Sequence, residues 1–282
     1  MKAISARTRA FTRTVLSTLV LGSLPGAAWA ADDLVMAVCE GTFSGAAPAE
    51  LVDKYHPLAD HLGKALKTHV IVSPVCSFPR LESGIAEQRF DLVMARPADY
   101  TARAIRDHGY KYVAQVTPDV SCVYLVPKDS PLKSLADAKD KRIALPEKTS
   151  YMGQLCAAGL RDAGVDAAAK AQFVKEQAVV MYQLKEKNVD VGGISSHAKG
   201  VAPEALEKAG LRELGRSRPQ PYFPVIASKK MPPAQVEAVR KELLALSESP
   251  SGKALLARLG LNGYANGGDE KMKQLLAWLE KK

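Results

Sequence analysis

The sequence predicts an α/β protein of two lobes, each built on a mostly parallel sheet covered by helices. Three observations favour this fold class. Short apolar runs of strand length alternate with amphipathic helical stripes, which is typical of parallel sheets with helices on their faces. The alternation starts again after about residue 125. About 250 residues follow an N-terminal segment that is predicted to be cleaved, and chains of this length usually form more than one hydrophobic core.

The first 30 residues are typical of a cleavable secretory signal peptide. Four basic residues and no acidic one precede an apolar run over 15–24, and Ala28-Trp29-Ala30 supplies the small-residue cleavage pattern. The apolar run is shorter than the ~20 residues that span a bilayer. We therefore expect cleavage before Ala31, a mature chain that is not membrane-embedded, and, from the bacterial composition of the leader, a periplasmic location.

The charge balance changes when the leader is removed. The whole sequence has 39 Lys and Arg residues and 30 Asp and Glu residues. Without the four basic residues of the leader, 35 basic residues stand against 30 acidic ones, a surplus of five. This modest surplus does not indicate a nucleic-acid partner, and it is compatible with capture of an anionic ligand.

The first lobe is predicted to begin with four strands separated by three helices. The longest helix, 48–66, carries one continuous apolar stripe, and Pro57 within it is a candidate kink. The predicted strands cover 34–38, 70–72, 91–95 and 112–116, and the other two helices cover 80–88 and 97–107.

A strand over 121–127 leads into the second lobe, where strands and helices alternate again up to about residue 194. A late strand over 222–227 is followed by three amphipathic helices with no new strand between them. Three helices do not make a domain of their own, so we expect them to pack on the first lobe. The chain then crosses between the lobes twice. The predicted limits are 31–121 plus 226–282 for lobe 1 and 122–225 for lobe 2.

Four cysteines in an oxidising compartment allow disulfides, with three pairings open. Cys39 and Cys76 follow two strands that are expected to be neighbours, so a disulfide between them is favoured. A reduced pair that binds a thiophilic ligand or a soft metal is the alternative. Cys122 and Cys156 either pair with each other or remain small buried apolar residues.

Five segments of the chain match the motifs of a known family in the family's order. They are YHPLADHL at 55–62, FDLVMARPADY at 90–100, PLKSLADAKDKRIA at 131–144, DVGGI at 190–194 and SRPQPYFPV at 217–225. This set resembles the phosphate/phosphonate-type periplasmic solute-binding proteins. The resemblance implies a type II periplasmic-binding-protein fold, in which two lobes close on a ligand and a membrane permease or a sensor reads the closed form.

One motif departs from the family. Phosphonate-binding members carry a Ser-Thr-Ser-Gly type of turn at the first helix of the second lobe, whereas this chain has Ser-Tyr-Met-Gly at 150–153. Two small hydroxyl residues are thus replaced by Tyr151 and Met152. A ligand that is larger, softer or less charged than a tetrahedral phosphonate becomes plausible.

Candidate ligand-binding residues lie where predicted strands end, because open parallel sheets bind ligands beyond the carboxyl ends of their strands. Arg96 could grip an oxyanion bidentately or make a structural ion pair. Ser150 begins a helix, where it either helps to hold an anion or is a plain N-cap. Ser195-Ser196-His197 either donates to the solute or caps a short helix. The predicted site residues are Arg96, Tyr100, Thr149, Ser150, Tyr151, Ser195, Ser196 and His197.

The sequence has none of the common catalytic or nucleotide-binding motifs, so we expect no enzyme activity, no cofactor and no metal site. The leading hypothesis is a monomeric periplasmic solute-binding protein of an ABC-type uptake system. It would bind a small anionic or polar molecule between its lobes and deliver it to an inner-membrane permease. The alternative is a periplasmic sensing or accessory protein of the same fold that signals to a sensor kinase or a redox system.

Overall fold

The structure, a computed structural model, describes residues 33–41 and 47–281, without the side chains of 168 and 169. The predicted leader lies outside these residues. The strands are β1 (Leu34–Cys39), β2 (Val70–Pro74), β3 (Leu92–Ala95), β4 (Lys111–Val120), β5 (Cys122–Pro127), β6 (Ile143–Pro146), β7 (Gln172–Val174), β8 (Val191–Ser195), β9 (Leu211–Arg216), β10 (Gln220–Ala227) and β11 (Tyr264–Ala265). The helices are α1 (Pro48–Leu66), α2 (Phe78–Ala86), α3 (Ala98–His108), α4 (Tyr151–Asp162), α5 (Ala167–Lys170), α6 (Gln177–Lys185), α7 (Pro203–Lys208), α8 (Pro233–Ala245), α9 (Pro250–Leu259) and α10 (Gly268–Leu279).

The first sheet has six strands in the order β11-β4-β10-β3-β1-β2. β1 runs parallel to β2 and β3, whereas β10 runs antiparallel to both β3 and β4. The three closing helices α8, α9 and α10 contact elements of this sheet's layer. The carboxyl ends of β1 and β3 therefore open on the same edge of the sheet.

The second sheet has five strands in the order β7-β6-β8-β5-β9. β6 pairs in parallel with β7 and β8, and β5 pairs antiparallel with β8 and β9. The chain passes to this sheet between β4 and β5 and returns between β9 and β10.

The two-sheet α/β fold class is confirmed, and the structure adds detail that periodicity did not predict. Both sheets are mixed, because the strands at the two crossings run antiparallel to their neighbours. β9 was not predicted, and β11 is a two-residue strand between the closing helices, too short to produce a sequence pattern. β10 begins at Gln220, so the return crossing lies at 217–219. The lobe limits by residue stay a prediction.

Helix α1 shows how the apolar stripe positions a helix on the first sheet. Leu51, Tyr55, Leu58 and Leu62 are all buried, so the predicted stripe faces the sheet. Pro57 lies inside a helix that is continuous over Pro48–Leu66. Among the described residues, no helix is both long and apolar enough to cross a bilayer.

Candidate functional site

A cavity of about 110 Å³ lies between the two sheets, at the edge where the parallel strands end. The first sheet's layer supplies Glu40 after β1, Phe78 on α2, Arg96 after β3 and Tyr222 on β10. The second supplies Ser150 through Met152 at the start of α4, Gln177 on α6, and Ser195 and His197 at the end of β8. Groups from both sheets can therefore contact one small molecule.

Arg96 leaves β3 toward this cavity and keeps free donors there. Its backbone N–H donates to the carbonyl of Cys39 at 2.8 Å, which fixes the residue at the strand end. Its guanidinium lies over the ring of Phe223 at 5.2 Å and over that of Tyr222 at 5.7 Å. Nε is buried and donates to no described residue. Ring contacts thus hold the cation without using its hydrogen-bond donors, which suits it for binding an oxyanion.

Glu40 faces Arg96 and was not among the predicted site residues. Its carboxylate is only 6% exposed, and its Oε1 accepts from Tyr55 Oη at 2.5 Å and from Lys54 Nζ at 2.7 Å. Arg96 Nη2 lies 3.7 Å from the same oxygen. Burial raises the pKa of Glu40, but the Arg96 charge and the hydrogen bonds from Lys54 and Tyr55 outweigh burial and leave that pKa lowered. The cavity therefore contains an ionised carboxylate beside its guanidinium.

Ser150 is the N-cap of α4. Its Oγ accepts from the backbone N–H of Gly153 at 3.1 Å and donates to the carbonyl of Glu147 at 2.7 Å. Gly153 is required here, because a Cβ at that position would lie 2.2 Å from the Glu147 oxygen. The N–H groups of Tyr151 and Met152, next along the helix, donate to no described residue. The start of α4 thus presents free amide donors at the cavity.

Two neighbours of Ser150 have other roles. Thr149 Oγ1 donates to Glu147 Oε1 at 3.3 Å and does not line the cavity. The ring of Tyr151 lines the cavity, while its hydroxyl donates to the carbonyl of Pro221 at 2.9 Å. Because Pro221 is on β10, this hydrogen bond joins the two sheets beside the cavity.

His197 contacts the opposite sheet directly. Its ring stacks on Tyr222 with the ring centroids 3.9 Å apart, and its Nε2 lies 3.2 Å from the carbonyl oxygen of Pro118. Burial lowers the pKa of His197, although the carbonyls of Asp119 and Pro118 act in the other direction. A neutral ring therefore closes this side of the cavity at neutral pH.

The remaining predicted residues divide between the cavity and its surroundings. Ser195 lines the cavity, and its Oγ accepts from the His197 backbone N–H at 3.1 Å. Ser196 lies away from it, where its Oγ accepts from the backbone N–H of Ser121 at the chain crossing. Tyr100 does not line the cavity either, but it stacks on Phe78, which does, with centroids 5.4 Å apart.

Gln177 is a second cavity residue that sequence reasoning missed. It is 4% exposed, and its Oε1 accepts from the backbone N–H of Ser195 at 2.8 Å. Since a backbone N–H can only donate, this bond fixes the orientation of the carboxamide. Its Nε2 donates to no described residue, so a further donor from the second sheet is free at the cavity. Its position at the start of α6 was the available signal, but this helix had no predicted limits.

The predicted disulfide between Cys39 and Cys76 was wrong, and of the two alternatives for Cys122 and Cys156 the structure has the pairing. The disulfide joins Cys122 on β5 to Cys156 on α4, and Cys39 and Cys76 are free. Cys39 points into the apolar cluster under α2 and α3, where burial raises the pKa of its thiol to about 11, whereas Cys76 is exposed. The strand register also keeps the two cysteines apart. Val38 pairs with Pro74, so Cys39 lies opposite residue 75 and not opposite Cys76. Among the described residues, no group of three potential metal ligands occurs.

The match to known proteins is at the level of a family. Residues 41–272 match the family described as ABC transporter, phosphonate, periplasmic substrate-binding protein. The chain belongs to this family. The family resemblance that the five motifs predicted is thereby confirmed. Because this family serves ABC transporters, membership favours uptake through a permease over signalling to a sensor. Membership implies a periplasmic location. No curated protein matches the chain by sequence.

Solved structures share the fold at low sequence identity. XAC2383 from Xanthomonas citri, bound to chloride ion, has a TM-score of 0.70 and 18% identity over 88% of this chain and 97% of that chain. PhnD1 from Prochlorococcus marinus, in complex with methylphosphonate, has a TM-score of 0.67 and 15% identity over 87% and 96%. The aliphatic sulphonate binding protein SsuA from Escherichia coli has a TM-score of 0.55 and 18% identity over 87% and 78%. These similarities establish the two-lobed fold.

Proposed function

We propose that this substrate-binding protein captures a small anionic or polar solute in the cavity between its two sheets. The observation that carries the proposal is the guanidinium of Arg96, which borders the cavity and whose terminal Nη1 and Nη2 groups donate to no described residue, the nearest acceptor, Glu40 Oε1, lying 3.7 Å from Nη2. A guanidinium with free terminal donors can grip an oxyanion through two parallel hydrogen bonds. Arg96 is therefore the principal ligand-binding residue of the proposal.

The second sheet supplies the other half of the proposed site. Tyr151 and Met152, whose N–H groups are free, line the same cavity as Arg96 together with their N-cap Ser150. Ser195 and His197 complete this side. A ligand that contacts both sheets would favour the arrangement in which the sheets lie together. The solutes in the PhnD1 and SsuA names, a phosphonate and a sulphonate, support an oxyanion as the bound group.

We also propose that the signal peptide is cleaved and that the mature protein binds its ligand without catalysing a reaction. Residues 1–30 would be removed on export, and a mature monomer of 31–282 would act in the periplasm without chemical turnover of its ligand. The substrate-binding role of the family supports delivery to a permease.

The test is calorimetric titration of the mature chain with small oxyanions, first chosen by their effect on the melting temperature. A true ligand at a hundred times its Kd should stabilise the fold by about 2.7 kcal/mol. Arg96→Lys keeps the positive charge but removes the planar fork and Nε, so we expect its Kd to rise roughly ten- to a hundredfold.

The matched control is Arg80→Lys, on the exposed face of α2 away from the cavity lining. It should bind as the wild type does. Equal affinities of the Arg96→Lys variant and the wild type would contradict the assigned role of Arg96. Stabilisation by no anion and by no polar solute would contradict the proposed function.

A further inference from the structure

The two oxygens of the Glu40 carboxylate have different surroundings. Oε1 receives every contact from the described residues, namely the hydrogen bonds from Lys54 and Tyr55 and the nearby Arg96 Nη2. Oε2 accepts no hydrogen bond from them. It is also not among the fully enclosed polar atoms that lack a partner, and Glu40 borders the cavity. Oε2 is thus an accessible acceptor without a partner among the described residues, on a side chain that borders the cavity.

An ionised carboxylate can accept hydrogen bonds but cannot donate one. Lys54 and Arg96 lie on its Oε1 side and keep Glu40 charged. Whatever fills a cavity of about 110 Å³ lies close to both Glu40 and Arg96. If the occupant brought only negatively charged acceptors to Oε2, two like charges would be in contact and Oε2 would lose its contact with water without replacement.

We propose that the solute of this cavity carries a hydrogen-bond donor for Glu40 Oε2 in addition to the anionic group that Arg96 binds. The site then rejects fully deprotonated oxyanions that have no donor. This inference rests on the proposed function and narrows its ligand class. An ammonium group, a hydroxyl group or the remaining proton of a half-ionised oxyanion would each satisfy Oε2, and the experiment separates these three sources.

The other free groups of the cavity agree with such a ligand. The Nε2 of Gln177 and the amides at the start of α4 are donors, so they serve the anionic end together with Arg96. Glu40 is the one carboxylate among the described residues that line the cavity. The donor group of the ligand therefore has one charged acceptor in the cavity, Glu40, while its anionic group binds the donors around Arg96. These two contacts fix the orientation of the bound molecule.

The test uses sulfonates, which have no proton to lose near neutral pH. The mature wild-type chain is titrated with ethanesulfonate, 2-hydroxyethanesulfonate and 2-aminoethanesulfonate. If the donor is a hydroxyl or an ammonium group, the probe that carries this group should bind at least ten times more tightly than ethanesulfonate. Preference for the amine identifies an ammonium as the donor, and preference for the alcohol identifies a hydroxyl.

Methylphosphonate, titrated at pH 6 and at pH 8.5, tests the third source. Binding at least five times tighter at pH 6, with no such change for the sulfonates, identifies the proton of the half-ionised oxyanion. Binding of ethanesulfonate within threefold of all these probes would overturn the inference while leaving the proposed function in place. A chain that binds none of these probes and none of the oxyanions of the calorimetric test would instead overturn the proposed function, and this inference with it.

A variant gives an independent check. Glu40→Gln has nearly the same size but can donate, so it should bind ethanesulfonate more tightly than the wild type and lose the preference for donor-bearing probes. Glu82→Gln removes the same charge from an exposed position of α2 and should keep the preference. A Glu40→Gln protein that folds and retains the wild-type preference would contradict the role of Glu40. If the variant does not fold, the wild-type comparison still decides the question.

Discussion

At the scale of single residues, Ser150 acts on the cavity through the helix that it starts. Its hydroxyl is already engaged by the N–H of Gly153 and the carbonyl of Glu147. Ser150 therefore acts by capping the first turn of α4, in which the N–H groups of Tyr151 and Met152 donate to no described residue. We infer that Ser150 supports anion binding by holding these amide groups in place.

We expect Ser150→Ala to lower the free energy of unfolding by about 1 kcal/mol, which is typical of a lost N-cap. Urea denaturation measures this loss. The variant should also bind its anion more weakly, because the amides at the start of α4 are less firmly held. Ser249→Ala is the matched control, since Ser249 caps α9 by the same contact to Gly252 at 3.0 Å. Equal affinities for the two variants would contradict the role of Ser150 at the site.

Some of the predicted site residues line the cavity. Arg96 and Ser150 could be found from the sequence because Arg96 directly follows a strand and Ser150 starts a helix. Glu40 and Gln177 were missed for physical reasons. The significance of Glu40 depends on Tyr55 and Lys54, which α1 brings to it from the next element. The free Nε2 of Gln177 depends on the backbone of Ser195, 18 residues further along the chain. Contacts of this kind leave no local pattern.

At the scale of elements, α4 both borders the cavity and is bonded covalently to the second sheet. Its first turn borders the cavity, and its middle is tied to β5 by the disulfide between Cys122 and Cys156. Gly193 on β8 lies beneath this bond, since a Cβ there would be 2.9 Å from Cys122 Sγ and 3.0 Å from Cys156 Sγ. The disulfide therefore fixes the helix on the sheet that it must present to the ligand.

Replacing both Cys122 and Cys156 with Ala should lower the free energy of unfolding by about 2–4 kcal/mol, because the bond closes a loop of 34 residues in the unfolded chain. Chemical denaturation under oxidising conditions measures this loss. Cys76→Ala removes an exposed free thiol and should change stability by less than about 0.5 kcal/mol. If the Cys76 variant loses as much stability as the double variant, the observed pairing is wrong.

The elements themselves were largely predictable. The apolar stripe of α1 and the buried runs at β1, β3 and β10 gave their type and approximate limits. The disulfide partner was not predictable, because four cysteines fit three pairings, and the register of β1 and β2 and the burial of Cys39 that keep Cys39 from Cys76 are set by tertiary packing. β9 was missed because its sequence, LRELGR, has only two apolar side chains among charged residues and a glycine, which is a weak strand pattern.

At the scale of the whole molecule, the two sheets are joined at both ends of α4. Beside the cavity, Tyr151 binds the Pro221 carbonyl and His197 stacks on Tyr222. At the other end of α4, Arg161 donates to the carbonyl of Trp278 at 2.6 Å. The Trp278 indole donates in turn to Asp162 Oδ2 at 2.7 Å. A ligand in the cavity would thus add to contacts that already connect the lobes.

The paired sheets and the two chain crossings followed from the restart of the αβ pattern, but the approach of the lobes did not. It depends on α10 and the residues just after it, because the carbonyls of Trp278 and Lys281 accept from Arg161 across 117 and 120 positions of sequence. Such long-range contacts are set by packing and not by periodicity.

The most direct test of the central claim is a crystal structure of residues 31–282 with the anion that stabilises the fold most. We predict that the anion lies between the Arg96 guanidinium and the first turn of α4, in contact with both sheets. Tyr151 and Pro221 should remain bonded across the same cavity. An anion bound elsewhere, with Arg96 making no contact to it, would contradict the account.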